Sequence, residues 1–148
     1  MRKKQVAPYV PEHIREWVHE IATHLHQPDG DTGARIIMAA LSDVDAITRL
    51  APYLLRGYAR GNRAWLGHRD HDDLRHWVSP CGSVLERLHM RFTHDDWASL
   101  DALGFALGSG TAPAAAALLR LAYANPRIMQ TIAPEWVPTS PVALREGS

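Results

Sequence analysis

A single cysteine, Cys81, stands in this chain of 148 residues, which excludes an intrachain disulfide and leaves too few thiolates for a Cys-based zinc site. No apolar run approaches the roughly 18–20 residues needed to span a bilayer, so no membrane partner is expected. Net charge is missing too, since sixteen Lys+Arg offset sixteen Asp+Glu. That balance argues against a uniformly basic nucleic-acid coat and leaves local basic patches open. Zero net charge with 46% hydrophobic residues also excludes a disordered chain. The basic start Met1-Arg2-Lys3-Lys4-Gln5 is followed by no hydrophobic stretch, so no signal peptide is expected and a cytoplasmic location is the default. The chain also lacks a Gly-rich phosphate loop, a Ser nucleophile elbow and a convincing carboxylate pair, so neither catalysis nor a cofactor is expected. At about 100–200 residues per domain, the length allows one compact unit or two very small ones.

What is present is a pattern that occurs twice. Leu88, Met90 and Phe92 alternate with polar residues across Arg87–Thr93, the period of a half-buried strand. Thr93-His94-Asp95-Asp96 then offers an N-cap with early acids. Trp97, Leu100, Leu103 and Leu107 follow on one helical face, and Gly108-Ser109-Gly110 ends that helix. Thr111 caps a second helix with Pro113 in its first turn and Leu118, Leu121 and Ala122 on one side. The N-terminal part has the same plan. Val6, Pro8 and Val10 lie at period 2, and Ile14, Val18, Ile21 and Leu25 form a helical stripe. Pro28-Asp29-Gly30 is expected to end that helix, and Asp31-Thr32-Gly33 to cap another carrying Ile36, Ile37, Ala40 and Leu41. Val10 matches Phe92 at an offset of 82 and Gly30 matches Gly110 at 80, which predicts two extra residues in the first inter-helix turn.

One strand with two helices cannot bury its apolar faces alone, whereas two copies can pair their strands antiparallel above four interlocked helices. This strand–helix–Gly turn–helix order resembles the ribbon-helix-helix family of DNA-binding proteins, the Arc/MetJ/CopG type. The likeness is strongest over Arg87–Tyr123 and weaker over Lys3–Leu41. It implies a mainly α fold with a short two-stranded antiparallel β-ribbon, duplicated and pseudo-dimeric within one chain. The segments are then residues 1–41 (first copy), 42–83 (helical and loop connector), 84–125 (second copy) and 126–148 (extended Pro-rich tail).

The resemblance also implies sites. Strand residues facing away from the helices enter the major groove, here Lys3, Gln5, Ala7 and Tyr9 with Arg87, His89 and Arg91. The N-termini of the second helices would meet phosphates at Thr32 and Gly33, and at Thr111 and Ala112. Arg60 and Arg63 belong to an acid-free stretch, Ala46–Arg69, that holds five arginines and reads equally well as a phosphate-contacting arm or a solvated face. Two departures stand out: Pro8 removes a ladder donor from the first strand, and Asp31 would repel a phosphate. His68, His71 and His76 lie among Asp70, Asp72 and Asp73, but an exposed surface segment is favoured over a metal site. The implied function is sequence-specific binding of double-stranded DNA by a transcriptional repressor, with possible self-association on adjacent half-sites. The alternatives are a plasmid transfer or partition accessory protein, or a protein-interaction scaffold that binds no DNA.

Overall fold

The computed structural model describes residues 3–68, 70, 72, 74–78 and 84–135. The chain runs through β1 (Lys4–Val6), β2 (Tyr9–Pro11), α1 (Glu12–Leu25), α2 (Asp29–Leu41), α3 (Val44–Leu50) and a 3₁₀ turn (Ala51–Tyr53). A hairpin of β3 (Tyr58–Arg60) and β4 (Arg63–Trp65) follows, then α4 (Leu74–Val78), β5 (Leu85–Arg87), β6 (Met90–Phe92), α5 (His94–Leu107), α6 (Thr111–Ala124) and α7 (Pro126–Met129). The described part is mainly helical with short antiparallel strand pairs.

The N-terminal strands pair with the distant ones inside the same chain. β1 lies antiparallel to β6, with Gln5 opposite Arg91, and β2 lies antiparallel to β5, with Tyr9 opposite Arg87. The register is continuous across both pairs. Leu88 N–H donates to the Pro8 carbonyl at 3.0 Å and Glu12 N–H to the Val84 carbonyl at 3.0 Å, so one ribbon runs from Lys4 to Glu12. Its ladder breaks where Pro8 has no N–H to give. Alternation then sorts the side chains: Val6, Pro8, Val10, Leu88, Met90 and Phe92 are buried on the inner face.

The helices close beneath that face. α2 packs under β6 and against α6, while α6 packs under β1 and β2 and against α5. Ala114, Ala115, Ala116 and Ala117 are all buried, and their small side chains let α6 approach its neighbours. α5 and α6 turn through 96° at Gly108–Gly110. No single described helix is long and apolar enough to cross a membrane.

The element order repeats with one offset. α1 and α5 both have 14 residues and begin 82 positions apart (12 and 94); α2 and α6 also begin 82 apart (29 and 111). The first inter-helix turn therefore has no extra residues, which corrects the pairing of Gly30 with Gly110. The left-handed residue that ends α5 is Gly108 (φ 69°), and its counterpart at the end of α1 is His26 (φ 55°). α2 accordingly starts at Asp29 after the N-cap Pro28, rather than being capped at Asp31. The connector differs too: Gly61 (φ 62°) and Asn62 make the tight turn of a hairpin where only helix and loop were expected. The segment 126–148 was expected to be an extended tail, but its first residues, Pro126–Met129, form α7 with Ile128 and Met129 buried. The expected turn around Cys81 (residues 79–83) and residues 136–148 lie outside the described residues.

At Gly30 α2 passes close to the ribbon backbone. A Cβ built there would lie 2.6 Å from the His89 carbonyl oxygen, a backbone atom that cannot swing aside. Alanine gains at most about 1 kcal/mol of helix propensity, against roughly 1–3 kcal/mol for overpacking. Gly30→Ala is therefore expected to destabilise the protein by up to about 2 kcal/mol, read from urea unfolding midpoints.

Candidate nucleic-acid interface

The buried inner face of the ribbon forces the intervening residues outward. Lys3, Gln5, Tyr9, Arg87, His89 and Arg91 are exposed, with Tyr9 at 54%, and Ala7 is half-buried. From Gln5 to Tyr9 this row spans about 13 Å at the usual strand rise, close to the ~12 Å width of a B-DNA major groove. Two contacts pre-order it. The Gln5 side-chain amide donates to His89 Nδ1 at 3.0 Å, and the Arg87 guanidinium lies 4.5 Å from the Tyr9 ring centre. At one end Lys4 Nζ sits 4.9 Å over the Trp97 ring.

A groove of about 480 Å³ opens between that end of the ribbon and α2. Lys3, Arg91 and Arg35 line it together with Asp31 and Asp96. Arg35 escaped the sequence reading, although it stands one helical turn after Asp31 on the polar side of α2. Its Nη1 donates to Gln27 Oε1 at 3.1 Å.

The two helix N-termini are not equivalent. In α6 the first intrahelical bond is Ala114 N–H to the Gly110 carbonyl, 3.3 Å. Thr111 and Ala112 therefore keep N–H groups without a helical acceptor, Pro113 has none, and no acid occupies the first turn. In α2 the first such bond is already Thr32 N–H to the Pro28 carbonyl, 3.1 Å. Thr32 and Gly33 are buried one turn inside the helix, which corrects their expected role as phosphate ligands. The open N–H groups there belong to Asp29, Gly30 and Asp31, beside two carboxylates. Asp29 meets Arg15 Nη1 at 2.7 Å and His19 Nδ1 at 3.0 Å. Burial pulls its carboxyl up, but the hydrogen bonds and charges of Arg15 and His19 outweigh this and leave it below the ordinary carboxylate range.

Arg60 and Arg63 also fall elsewhere. Arg60 Nη2 donates to Ser42 Oγ at 3.3 Å, at the C-terminal end of α2. The ribbon touches the other end, at Gly30, about 18 Å away along the axis at 1.5 Å per residue. Arg60, and Arg63 opposite it in the hairpin, thus lie apart from the ribbon face. Arg56 is spent on Phe105, donating to its carbonyl at 2.8 Å and stacking 4.2 Å from its ring centre. Of the three candidate histidines, His68 is exposed, while His71 and the His76 side chain lie outside the described residues. Among the described residues no group of three or more His, Cys, Asp or Glu is placed to hold a metal ion.

Two outcomes follow from the α2 terminus. The Thr32 hydroxyl is buried without a hydrogen-bond partner among the described residues. Thr32→Val removes that orphaned group at constant shape and is expected to raise unfolding stability by about 1 kcal/mol. Asp29→Asn is expected to lower stability at pH 7 by up to about 1 kcal/mol, the scale of an exposed ion pair. A depressed carboxyl stabilises above its unfolded value of about 3.9. The difference between wild type and Asp29→Asn should therefore vanish as pH falls through the folded value, measured by urea titrations from neutral to acid pH.

With this geometry in view, the comparisons with known proteins return nothing: no protein-family model, no curated protein and no solved structure matches the chain.

Proposed function

We propose that this chain is a tandem, single-chain ribbon-helix-helix protein that binds duplex DNA by laying its two-stranded ribbon in the major groove. The observation that carries the reading is the outward row of the ribbon. Lys3, Gln5, Tyr9, Arg87, His89 and Arg91 stand exposed together, while every alternate residue from Val6 to Val10 and from Leu88 to Phe92 is buried. Arg and Gln are the residue types that pair bidentately with guanine and adenine edges. The open N–H groups of Thr111 and Ala112 supply a backbone anchor for one phosphate. At the other terminus Asp29 and Asp31 disfavour the same contact, so anchoring is one-sided. Binding would occlude an operator without chemistry, which is how a repressor acts, and neighbouring copies would occupy adjacent half-sites.

The magnitudes permit the rearrangement this needs. Freeing Gln5 from His89 gives up about 1 kcal/mol for an exposed hydrogen bond, whereas a bidentate base contact is worth about 1–3 kcal/mol. Arg87 need not leave Tyr9, because stacking uses the face of the guanidinium and base pairing uses its edge.

Fluorescence anisotropy on random and selected duplexes at low and moderate salt tests the proposal. Expected is binding whose log K falls linearly with log salt. Arg91→Ala and Arg87→Ala should each weaken it about tenfold or more. Arg60→Ala with Arg63→Ala, off the ribbon face, should leave affinity within about twofold, since phosphate contacts act only where they touch. Failure to bind any duplex at low salt would overturn the proposal in favour of an interaction scaffold.

A further inference from the structure

On the helical side of the molecule, α1, α3, the 3₁₀ turn, α4 and α6 surround a cavity of about 410 Å³. Small-molecule sites typically measure about 300–1,000 Å³ and combine apolar walls with a few convergent polar groups. Here the walls are the rings of Tyr53, Trp77 and Tyr123 with His13, and the polar groups are Arg49 and Arg120. Tyr53 and Trp77 lie 5.7 Å apart with their planes inclined by 32°, and His13 meets Tyr123 edge-on at 5.2 Å.

Arg120 is the notable member. It is the single charged residue of α6, between the fully buried Leu119 and the buried Leu121, and is itself only partly exposed. A guanidinium in such a setting gives up hydration and needs partners. Its Nη1 donates to the Trp77 carbonyl at 2.7 Å, and its face lies 4.9 Å from the Trp77 ring centre. These two contacts fix the group without neutralising it. Among the described carboxylates none forms an ion pair with Arg120 or with Arg49. The remaining N–H groups of the fork thus have the geometry for a bidentate anion. Flat apolar walls beside a fork that meets no carboxylate among the described residues define the ligand's shape: a ring and an acid in one molecule.

We infer that this cavity binds a small planar aromatic carboxylate, its ring against Trp77 and Tyr53 and its carboxylate on the guanidinium of Arg120, with Arg49 adding charge at the mouth. The inference does not rest on DNA binding, because no outward residue of the ribbon lines the cavity. Such a ligand would bridge α1 and α6 to the connector helices α3 and α4.

Isothermal titration calorimetry on the full chain tests it, with indole-3-acetate and benzoate as probes, the corresponding neutral amides, and inorganic phosphate. Trp77 fluorescence gives a second readout. The acids should bind with a Kd of about 1 mM or tighter, and the amides about tenfold or more weaker, having lost the charge-assisted fork contact. Arg120→Lys keeps the charge and loses the fork, and should cost about tenfold in affinity. Arg49→Gln, an exposed position that leaves folding intact, should cost about threefold, the size of a partly screened charge effect. Trp77→Phe should abolish the fluorescence response while calorimetric binding of the acids persists. Equal affinity for acids and amides, phosphate binding as tightly as the aromatic acids, or no binding of any probe would each overturn the inference.

Discussion

The antiparallel pairing of residues 4–12 with 84–92 is the constraint on which the other elements depend. A lone two-stranded ribbon is marginal in water, and this one also closes a long intervening loop, whose entropic cost grows only logarithmically with length. The inner face repays both. Val6, Val10, Leu88, Met90 and Phe92 are buried, each contributing about 1.5–3 kcal/mol. Burial also settles register, since a slip of one residue would turn the apolar set of one strand outward and its polar set inward. The polarity of the outer face is therefore a corollary of the core beneath it.

Much of this was legible because period 2 and period 3.6 survive in both halves of the chain. Val6-Pro8-Val10 and Leu88-Met90-Phe92 face the core as their spacing requires, and the stripes Ile14–Leu25 and Leu100–Leu107 face it as well. The inter-helix turn misled for a specific reason. Glycine marks a left-handed helix end well, so Gly30 drew the eye, whereas the residue that takes this conformation is His26, at a strain of roughly 1–2 kcal/mol. Placing the cap too late moved the helix start and put Thr32 and Gly33 at an open terminus instead of one turn inside the helix. The hairpin of β3 and β4 was missed in a segment expected to be helix and loop, although Gly61-Asn62 between two short runs is a two-residue turn signal.

The arginines show why a site is harder to read than a fold. Local sequence cannot distinguish Arg56, consumed by Phe105, from Arg63, which is exposed, or from Arg49, which lines a cavity shared with four other elements. Those fates are decided by what the fold brings beside each residue from far along the chain: Phe105 beside Arg56, and α1, α4 and α6 around the cavity that Arg49 lines.

Joining both strands in one polypeptide changes the reaction order of assembly. Where two separate chains must meet to complete a sheet, dilution dissolves it, and folded fraction falls with protein concentration. Here the partner strand is tethered, so the folded fraction does not depend on protein concentration. At a handful of molecules per compartment this ribbon is as complete as it is in a concentrated solution.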